Sequence, residues 1–316
     1  MSSSSSCERL GLLLGFIGMV IFGGTLPATR LAVAEIDPIA LTAVRTAIAG
    51  LCSLALLLLL RRPLPPRPLW PQLALVMLCV AILFPLLMAE GMQRVDASHG
   101  GVVLGVLPIA TALVAVAITH ERPPPLFWIA AVAGAALVIA FALRGGGGTL
   151  SAGDLFLFAS VAVAAIGYAF SGRLTGKMPG WEVISWVLVI ALPFALPAAA
   201  LTMPADPLHI SLKPWLGLLY VALFSQWIGF FAWNAGMAMG GIARVSQIQL
   251  LQPFITFVLA SLFNGETITL QVVLFAAAVV ATVAISARTR RRSTIVPGRL
   301  NEPDPEPRMT AATPPR

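Results

Sequence analysis

The chain has 316 residues, of which 58% are apolar and 10% are charged. In an ordinary soluble domain, roughly a quarter of the residues are Asp, Glu, Lys or Arg. The composition of this chain therefore excludes a soluble enzyme and a disordered or fibrous chain. Three cysteines, Cys7, Cys52 and Cys79, are too scattered for a disulfide framework or a metal site. The net charge of +7 lies in short segments between hydrophobic stretches, which favours a lipid bilayer over nucleic acid as the partner.

Ten apolar stretches predict an all-α integral membrane protein, because a bilayer core about 30 Å thick needs roughly 20 apolar helical residues. In chain order the predicted spans are 10–29, 38–60, 69–89, 98–119, 126–143, 153–172, 182–203, 214–235, 242–263 and 268–287. Helix-start patterns precede the first and the sixth span, at Ser5 to Glu8 and at Ser151 to Asp154. Residues 289–316 are rich in Arg, Pro, Glu and Thr, and they predict a disordered cytoplasmic tail.

The positions of Lys and Arg orient the spans. With the N-terminus inside, twelve basic residues lie in inner segments: Arg9, Arg61, Arg62, Arg67, Arg122, Arg173, Lys177, Arg244, Arg288, Arg290, Arg291 and Arg292. Four lie in outer segments: Arg30, Arg94, Arg144 and Lys213. Cytoplasmic loops carry an excess of Lys and Arg, so both termini are predicted to face the cytoplasm in the inner (plasma) membrane.

The first span also imitates a secretory signal, because a basic start and an apolar run precede Ala32-Val33-Ala34. Its apolar run of about 20 residues is longer than the 7–15 residues typical of a signal peptide, which favours a retained helix.

An internal repeat divides the chain. Residues 91–121 and 236–266 match at a constant offset of 145, which pairs Gly91 with Gly236, Pro108 with Pro253 and Glu121 with Glu266. These pairs lie in or beside the fourth and the ninth span, so each half holds five spans. Because five is an odd number of spans, the second half enters the membrane from the opposite side to the first. The sequence therefore predicts two inverted five-helix repeats, over 1–143 and 144–288. Inverted repeats are typical of secondary transporters, whose substrate sites lie near the midplane between the repeats.

Three stretches of the sequence carry a family resemblance. They are Pro38-Ile39-Ala40-Leu41-Thr42-Ala43-Val44-Arg45; Gly91-Met92-Gln93-Arg94-Val95-Asp96-Ala97-Ser98 with Pro108 and Glu121; and Trp233-Asn234-Ala235-Gly236-Met237 with Gln252-Pro253 and Glu266. Together they resemble the EamA-type transporters of the drug/metabolite transporter superfamily. The resemblance extends over most of residues 10–287. It implies ten helices around a central cavity, with the fifth and the tenth at the periphery. It also implies outward transport of small metabolites such as amino acids or related compounds.

Polar side chains within spans usually face the protein interior or a water-filled cavity. The substrate-binding candidates on this ground are Tyr168 and Ser171 on the sixth span, Gln226 and Trp233 on the eighth, and Gln249, Gln252 and Thr256 on the ninth. The last three recur at i, i+3 and i+7 and so share one helix face, whereas Gln247 lies on the opposite face. The alternative role is hydrogen bonding between helices, which would only hold the bundle together.

Six further residues are candidates for gating or structural roles. Pro108 and Pro253 are predicted to break the helix near mid-span, as a fixed kink or as a hinge. Glu121 and Glu266 lie just before the next helix, where compensation of its N-terminal dipole is favoured over proton transport. Arg45 lies about 10 Å from the outer end of the second span. It either reaches the lipid headgroups or faces the bundle, paired with an acid such as Glu90.

No metal-binding, nucleotide-binding or other cofactor motif is visible in the sequence. The predicted function is therefore a secondary transporter with a small-molecule substrate, and not an enzyme. Protons are a candidate coupling ion, and both a monomer and a homodimer stay open. The alternatives are a membrane-embedded lipid-processing enzyme and a channel or receptor, and the inverted repeat disfavours both.

Overall fold

A computed structural model describes residues 2–119, 124–145, 147–204, 206–240, 245 and 248–294. Within these ranges the chain is helical and contains no strand. Eight of the described helices are long and apolar enough to cross a membrane, and two shorter apolar helices follow them. We number them in chain order: α1 Glu8–Ala32, α2 Pro38–Leu59, α3 Arg67–Met92, α4 Ala97–Ile118, α5 Pro125–Gly145, α6 Ala152–Leu174, α7 Gly180–Thr202, α8 Leu212–Met237, α9 Gln249–Asn264 and α10 Leu270–Ile285. The prediction of an all-α, multi-pass membrane protein is confirmed.

Side-chain caps begin two of these helices. Ser151 and Asp154 form the predicted capping box of α6, in which each side chain accepts a hydrogen bond from the other residue's backbone N–H. The Asp37 carboxylate accepts from the backbone N–H groups of Ile39 and Ala40 at the start of α2. The prediction at Ser5 was wrong, because the helix that contains α1 already begins at Ser2.

The helix that contains α10 continues from Leu270 to Thr294. The first residues of the predicted tail, 289–294, are therefore helical, and residues 295–316 lie outside the described residues. No Pro or Gly occurs between residues 287 and 296, and Arg is a good helix former, so the sequence has no local reason to end the helix earlier.

The third helix of each half, α3 or α8, is interrupted by one π-helical segment. The two segments span Met77–Leu83 in α3 and Tyr220–Ile228 in α8. Shifting residues 77–83 by the repeat offset of 145 gives 222–228, which falls inside the second segment. π segments are rare and occur often at functional sites. The two halves therefore share an unusual backbone feature that the sequence did not predict.

The repeat prolines lie at equivalent helix breaks. In α4 the helix is interrupted at Gly105 and Val106, and it resumes as Leu107–Thr119. In α9 a 3₁₀ turn over Gln249–Leu251 precedes the α-helical segment Gln252–Asn264. Pro108 and Pro253 are thus each the second residue of the new segment, where a missing N–H costs little.

A third break lies in α1, between the segments Ser2–Gly23 and Thr25–Ala32. Pro27 has no N–H to donate to the carbonyl of Gly23, and the Thr256 hydroxyl of α9 donates to it instead, at 2.9 Å. The Tyr220 hydroxyl of α8 donates to the carbonyl of Ile21, also at 2.9 Å. Side chains of the second half therefore stabilise this break in the first half.

The fifth and tenth helices pack against each other. Phe141 of α5 and Phe275 of α10 lie with ring centroids 5.2 Å apart. Large side chains of α5 remain exposed on its other face, including Trp128, Ile129 and Val132. Exposed apolar faces on a membrane helix are suited to contact lipid.

Polar contacts join the interhelical links into two groups, one at each end of the bundle. At one end Arg30 pairs with Asp96 at 3.2 Å, and the Glu35 carboxylate accepts from the hydroxyl and N–H of Ser211 at 2.6 and 2.7 Å. These two hydrogen bonds lower the pKa of Glu35 below its ordinary range. At the other end Arg62 pairs with Glu182 at 3.2 Å. The residues of the first group lie in or beside links predicted outside. In the second, Arg62 lies in a link predicted inside and Glu182 lies at the start of α7.

The predicted orientation can be tested with two exposed residues at opposite ends. We expect Leu150→Cys, in a background without Cys7, Cys52 and Cys79, to react with a membrane-impermeant maleimide in intact cells. Leu64→Cys should react only after lysis, because its link carries the inner basic residues. Labelling of Leu64→Cys in intact cells would contradict the orientation.

Candidate functional site

A chain of hydrogen bonds runs through the middle of the bundle. The Arg45 guanidinium of α2 donates through Nε to Oε1 of Gln226 on α8, at 2.5 Å. Nε2 of Gln226 donates to the Thr46 hydroxyl at 3.2 Å, and that hydroxyl donates to the carbonyl of Ala81 on α3 at 3.0 Å. Arg45 is only 3% exposed and Gln226 only 4%. We refer to Arg45, Thr46 and Gln226 as the central polar cluster.

The central polar cluster connects the two π segments. Ala81 belongs to the segment in α3 and Gln226 to the segment in α8. The two residue numbers differ by 145, the repeat offset, so they occupy equivalent positions in the two halves. Thr46 thus contacts the same position of both halves, and Arg45 binds that position in the second half. Inverted-repeat transporters place their substrate at the interface between their repeats.

Arg45 faces the bundle, and its Nη1 atom is buried without a hydrogen-bond partner. The predicted pairing of Arg45 with Glu90 was wrong. Glu90, near the end of α3, instead pairs with Arg94, which lies in the turn after that helix, with Nη1 and Oε2 2.7 Å apart. The geometry explains this, because residues four apart on a helix lie side by side.

Aromatic side chains pack in the same region of the bundle as the central polar cluster. Tyr168 of α6 lies near Arg45. The ring centroid of Tyr168 is 6.2 Å from that of Phe84. Trp227, adjacent to Gln226 in the chain, packs edge to face on Phe231 with 5.4 Å between centroids. The indole N–H groups of Trp227 and Trp186 are buried and have no hydrogen-bond partner. These two tryptophans belong to the same hydrophobic cluster as Tyr168.

The structure separates the predicted site residues into groups. Gln226 and Tyr168 lie at Arg45, and Ser171 lies one turn beyond Tyr168 on α6, half-buried. Trp233 packs against Phe22 of α1, with ring centroids 6.2 Å apart.

On α9, Gln249 and Gln252 are half-buried, whereas Thr256 is 1% exposed. The Thr256 hydroxyl is already engaged by the carbonyl of Gly23. Its position thus links α9 to the break in α1, while the two glutamines keep part of their surface accessible.

Glu266 compensates the N-terminus of a different helix from the one predicted. Its carboxylate accepts from the backbone N–H groups of Ala97 and Ser98, at 2.8 and 2.9 Å, and so stabilises the start of α4 instead of α10. A residue of the second half of the chain thereby stabilises a helix of the first half. Glu121 lies outside the described residues.

The sequence did not reveal the Arg45–Gln226 hydrogen bond, whose partners are 181 residues apart. The available signal was that both are polar residues in apolar spans, and no spacing rule connects them. In the described part of the chain no group of three or more His, Cys, Asp or Glu residues could hold a metal ion.

Buried polar residues between sets of membrane-length helices are typical of a membrane transporter, and comparisons with known proteins identify the family. The EamA-like transporter family matches residues 9–143 and again residues 151–288. The chain belongs to the EamA-like transporter family.

Similar proteins carry transporter names. The chain is 45% identical over 278 residues to the "Uncharacterized transporter YdeK" of Bacillus subtilis (strain 168), covering 88% of this chain and 97% of that protein. It is 27% identical to the "Uncharacterized inner membrane transporter YedA" of Escherichia coli (strain K12), covering 79% and 81%. It is 25% identical to the "Probable terminal-alkyne amino-acid exporter" of Streptantibioticus cattleyicolor, covering 74% and 80%.

The fold is also similar to that of a solved structure, described as "Crystal structure of protein". The TM-score is 0.61 at 19% sequence identity, and the match covers 92% of this chain and 99% of the solved one. At this identity the similarity concerns the fold.

Proposed function

We propose that the protein is a secondary transporter that exports small polar or amphipathic metabolites, such as amino acids or related compounds, across the inner membrane. The observation that carries this proposal is the central polar cluster, buried between equivalent positions of the two halves. Polar groups in a membrane protein are costly and usually mark the path of a substrate.

The proposed architecture is ten membrane helices in two inverted repeats, 1–143 and 144–288. Three features support it: the constant offset of 145 in the sequence, the double match to one family, and the π segments at equivalent positions. Five helices per repeat invert the second copy relative to the first, and relative movement of such repeats exposes a central site alternately to the two sides.

Two features support an amino-acid-like substrate. A relative in Streptantibioticus cattleyicolor is named an amino-acid exporter. In addition, the site offers the amide of Gln226, which both donates and accepts, beside the phenol of Tyr168. The sequence has no nucleotide-binding motif, so we infer that a solute or ion gradient, with protons as the candidate ion, drives transport.

The direct test is loss of solute from proteoliposomes. Purified protein is reconstituted into vesicles loaded with a mixture of amino acids and organic acids, with and without a pH gradient. We expect saturable loss of particular solutes, which protein-free vesicles do not show. Non-saturable leakage would favour a channel, and chemical conversion of a lipid would favour an enzyme.

The half-buried glutamines of α9 provide a second test. We propose that Gln249 and Gln252 contact the substrate, together with Trp233 of α8, and expect Gln249→Ala and Gln252→Ala each to raise the KM for the transported solute about tenfold. This corresponds to the loss of one hydrogen bond of roughly 1.5 kcal/mol. Gln271→Ala, an exposed glutamine at the start of α10, is the matched control. Unchanged KM values in both α9 variants would remove these residues from the site.

A further inference from the structure

We propose that Arg45 is the binding site for a carboxylate group of the transported solute, and that the protein therefore selects solutes that carry this anionic group. This inference rests on the proposed transport function and specifies its substrate class. The observation behind it is a buried guanidinium that has a neutral partner and an unpaired Nη1 atom.

The structure gives the partners of eight acidic residues, and none of the eight pairs with Arg45. The pairs are Glu35 with Ser211, Asp37 with the amides of Ile39 and Ala40, Glu90 with Arg94, Asp96 with Arg30, Asp154 with His99, Glu182 with Arg62, Asp206 with His209, and Glu266 with the amides of Ala97 and Ser98. The phenol of Tyr168 lies near Arg45, but a tyrosine is neutral at pH 7 and supplies no counter-charge.

An unpaired guanidinium inside a membrane bundle is unfavourable, because burial removes its hydration without supplying a counter-charge. Intramembrane arginines therefore usually pair with an acid or lie on a substrate path. Arg45 has no such pair in the described part of the chain, so we assign the counter-charge to the solute.

The hydrogen bonds around Arg45 fix the guanidinium and keep its charge available. Gln226 is neutral, and it binds Nε through Oε1. Thr46 accepts from Nε2 of the same amide and so fixes which end of Gln226 faces the arginine. Nη1 takes no part in this contact. The planar guanidinium is suited to bind a carboxylate through two parallel hydrogen bonds.

A second unpaired donor lies beside Arg45. The Thr42 hydroxyl is buried without a partner and lies one turn earlier on the same face of α2. Because residues three apart on a helix are neighbours, we expect a carboxylate bound at Nη1 to accept from this hydroxyl as well. Two adjacent buried groups without partners on one helix face are the arrangement expected for an anion site that the solute completes.

Matched solutes test the proposal. Proteoliposomes containing the full chain are assayed by counterflow with three amino acids, L-phenylalanine, L-leucine and L-threonine, and with the carboxamide and the decarboxylated amine of each. We expect at least one amino acid to be transported about tenfold or more faster than its amide and its amine, because a charge-assisted hydrogen bond is lost in both. Equal rates for a transported amino acid and its amide would overturn the proposal.

Variants of Arg45 test whether this residue causes the selectivity for amino acids over their amides. In Arg45→Gln we expect the ratio of amino-acid to amide transport to fall to about one, and in Arg45→Lys to an intermediate value, because lysine keeps the charge but not the planar fork. Arg173→Gln, an exposed arginine on α6, should keep the wild-type ratio. The ratio is measured within one preparation, so it does not depend on the amount of folded protein. Should Arg45→Gln fail to fold, the ratio in Arg45→Lys decides, and a wild-type ratio there overturns the proposal.

The outcomes separate this inference from the transport function. If wild-type vesicles transport only solutes without an anionic group, the transport function stands and the role of Arg45 is overturned. If wild-type vesicles transport neither this series nor any solute of the mixed panel, both are overturned.

Discussion

Replacing Gln226 by leucine should reduce transport to the level of protein-free vesicles and destabilise the bundle. Leucine is similar in size but offers no acceptor to Nε of Arg45, which Gln226 binds at 2.5 Å. A buried donor that loses its partner costs about 1–3 kcal/mol, and more when the donor is charged. The freed guanidinium should also turn away from its position between the π segments. Initial transport rates per folded protein and thermal unfolding in detergent measure the two effects.

The variant Gln226→Glu separates the effect on transport from the effect on stability. A carboxylate at this position can still accept from Nε of Arg45, so we expect stability close to that of the wild type. It also neutralises the charge that we assign to substrate binding, so transport of carboxylates should still fall. Gln271→Leu, at an exposed position of α10, is the control for the substitution itself. Wild-type transport by Gln226→Leu would exclude the central polar cluster from the site.

Gly236→Ala should prevent α1 and α8 from packing as they do in the structure. A Cβ atom at this position would lie 2.8 Å from Cα of Gly15 and 2.9 Å from the carbonyl oxygen of Gly11. Both are backbone atoms, which cannot rotate away, so the helices must separate. Overpacking of this kind typically costs about 1–3 kcal/mol, and the separation would also disturb the neighbouring contact between Trp233 and Gly18.

The matched control is Gly172→Ala on α6, where an added Cβ would meet nothing within 4 Å. Alanine is the better helix former, so this variant should be as stable as the wild type or slightly more stable. Yield of monodisperse protein and thermal unfolding in detergent compare the two. Equal stability of Gly236→Ala and Gly172→Ala would show that the close approach of α1 and α8 tolerates a methyl group.

The positions of the helices could be predicted from the sequence because apolar length and flanking residues determine them. The predicted span 38–60 is observed as Pro38–Leu59, and 182–203 as Gly180–Thr202. The capping box at Ser151 was also visible, since it depends on residues three apart. Information of this kind is local in the chain.

The contacts that build the site were not visible, because they are not local. Arg45 and Gln226 are 181 residues apart, and Glu266 lies 169 residues from Ala97. The sequence indicated that each is a polar group needing a partner, but many partners satisfy that need. The π segments were missed for a related reason, since the same apolar residues fit an α-helix and the difference lies only in the backbone hydrogen bonds.

Accessibility of Thr42 tests most directly whether a solute path passes through the central polar cluster. A cysteine at this position, in a chain without Cys7, Cys52 and Cys79, is exposed in proteoliposomes to a membrane-impermeant thiol reagent added on one side at a time. We predict reaction from both sides, with rates that change when a transported solute is added, because the site opens alternately. A cysteine that reacts from neither side, with or without solute, would contradict a path between the two halves.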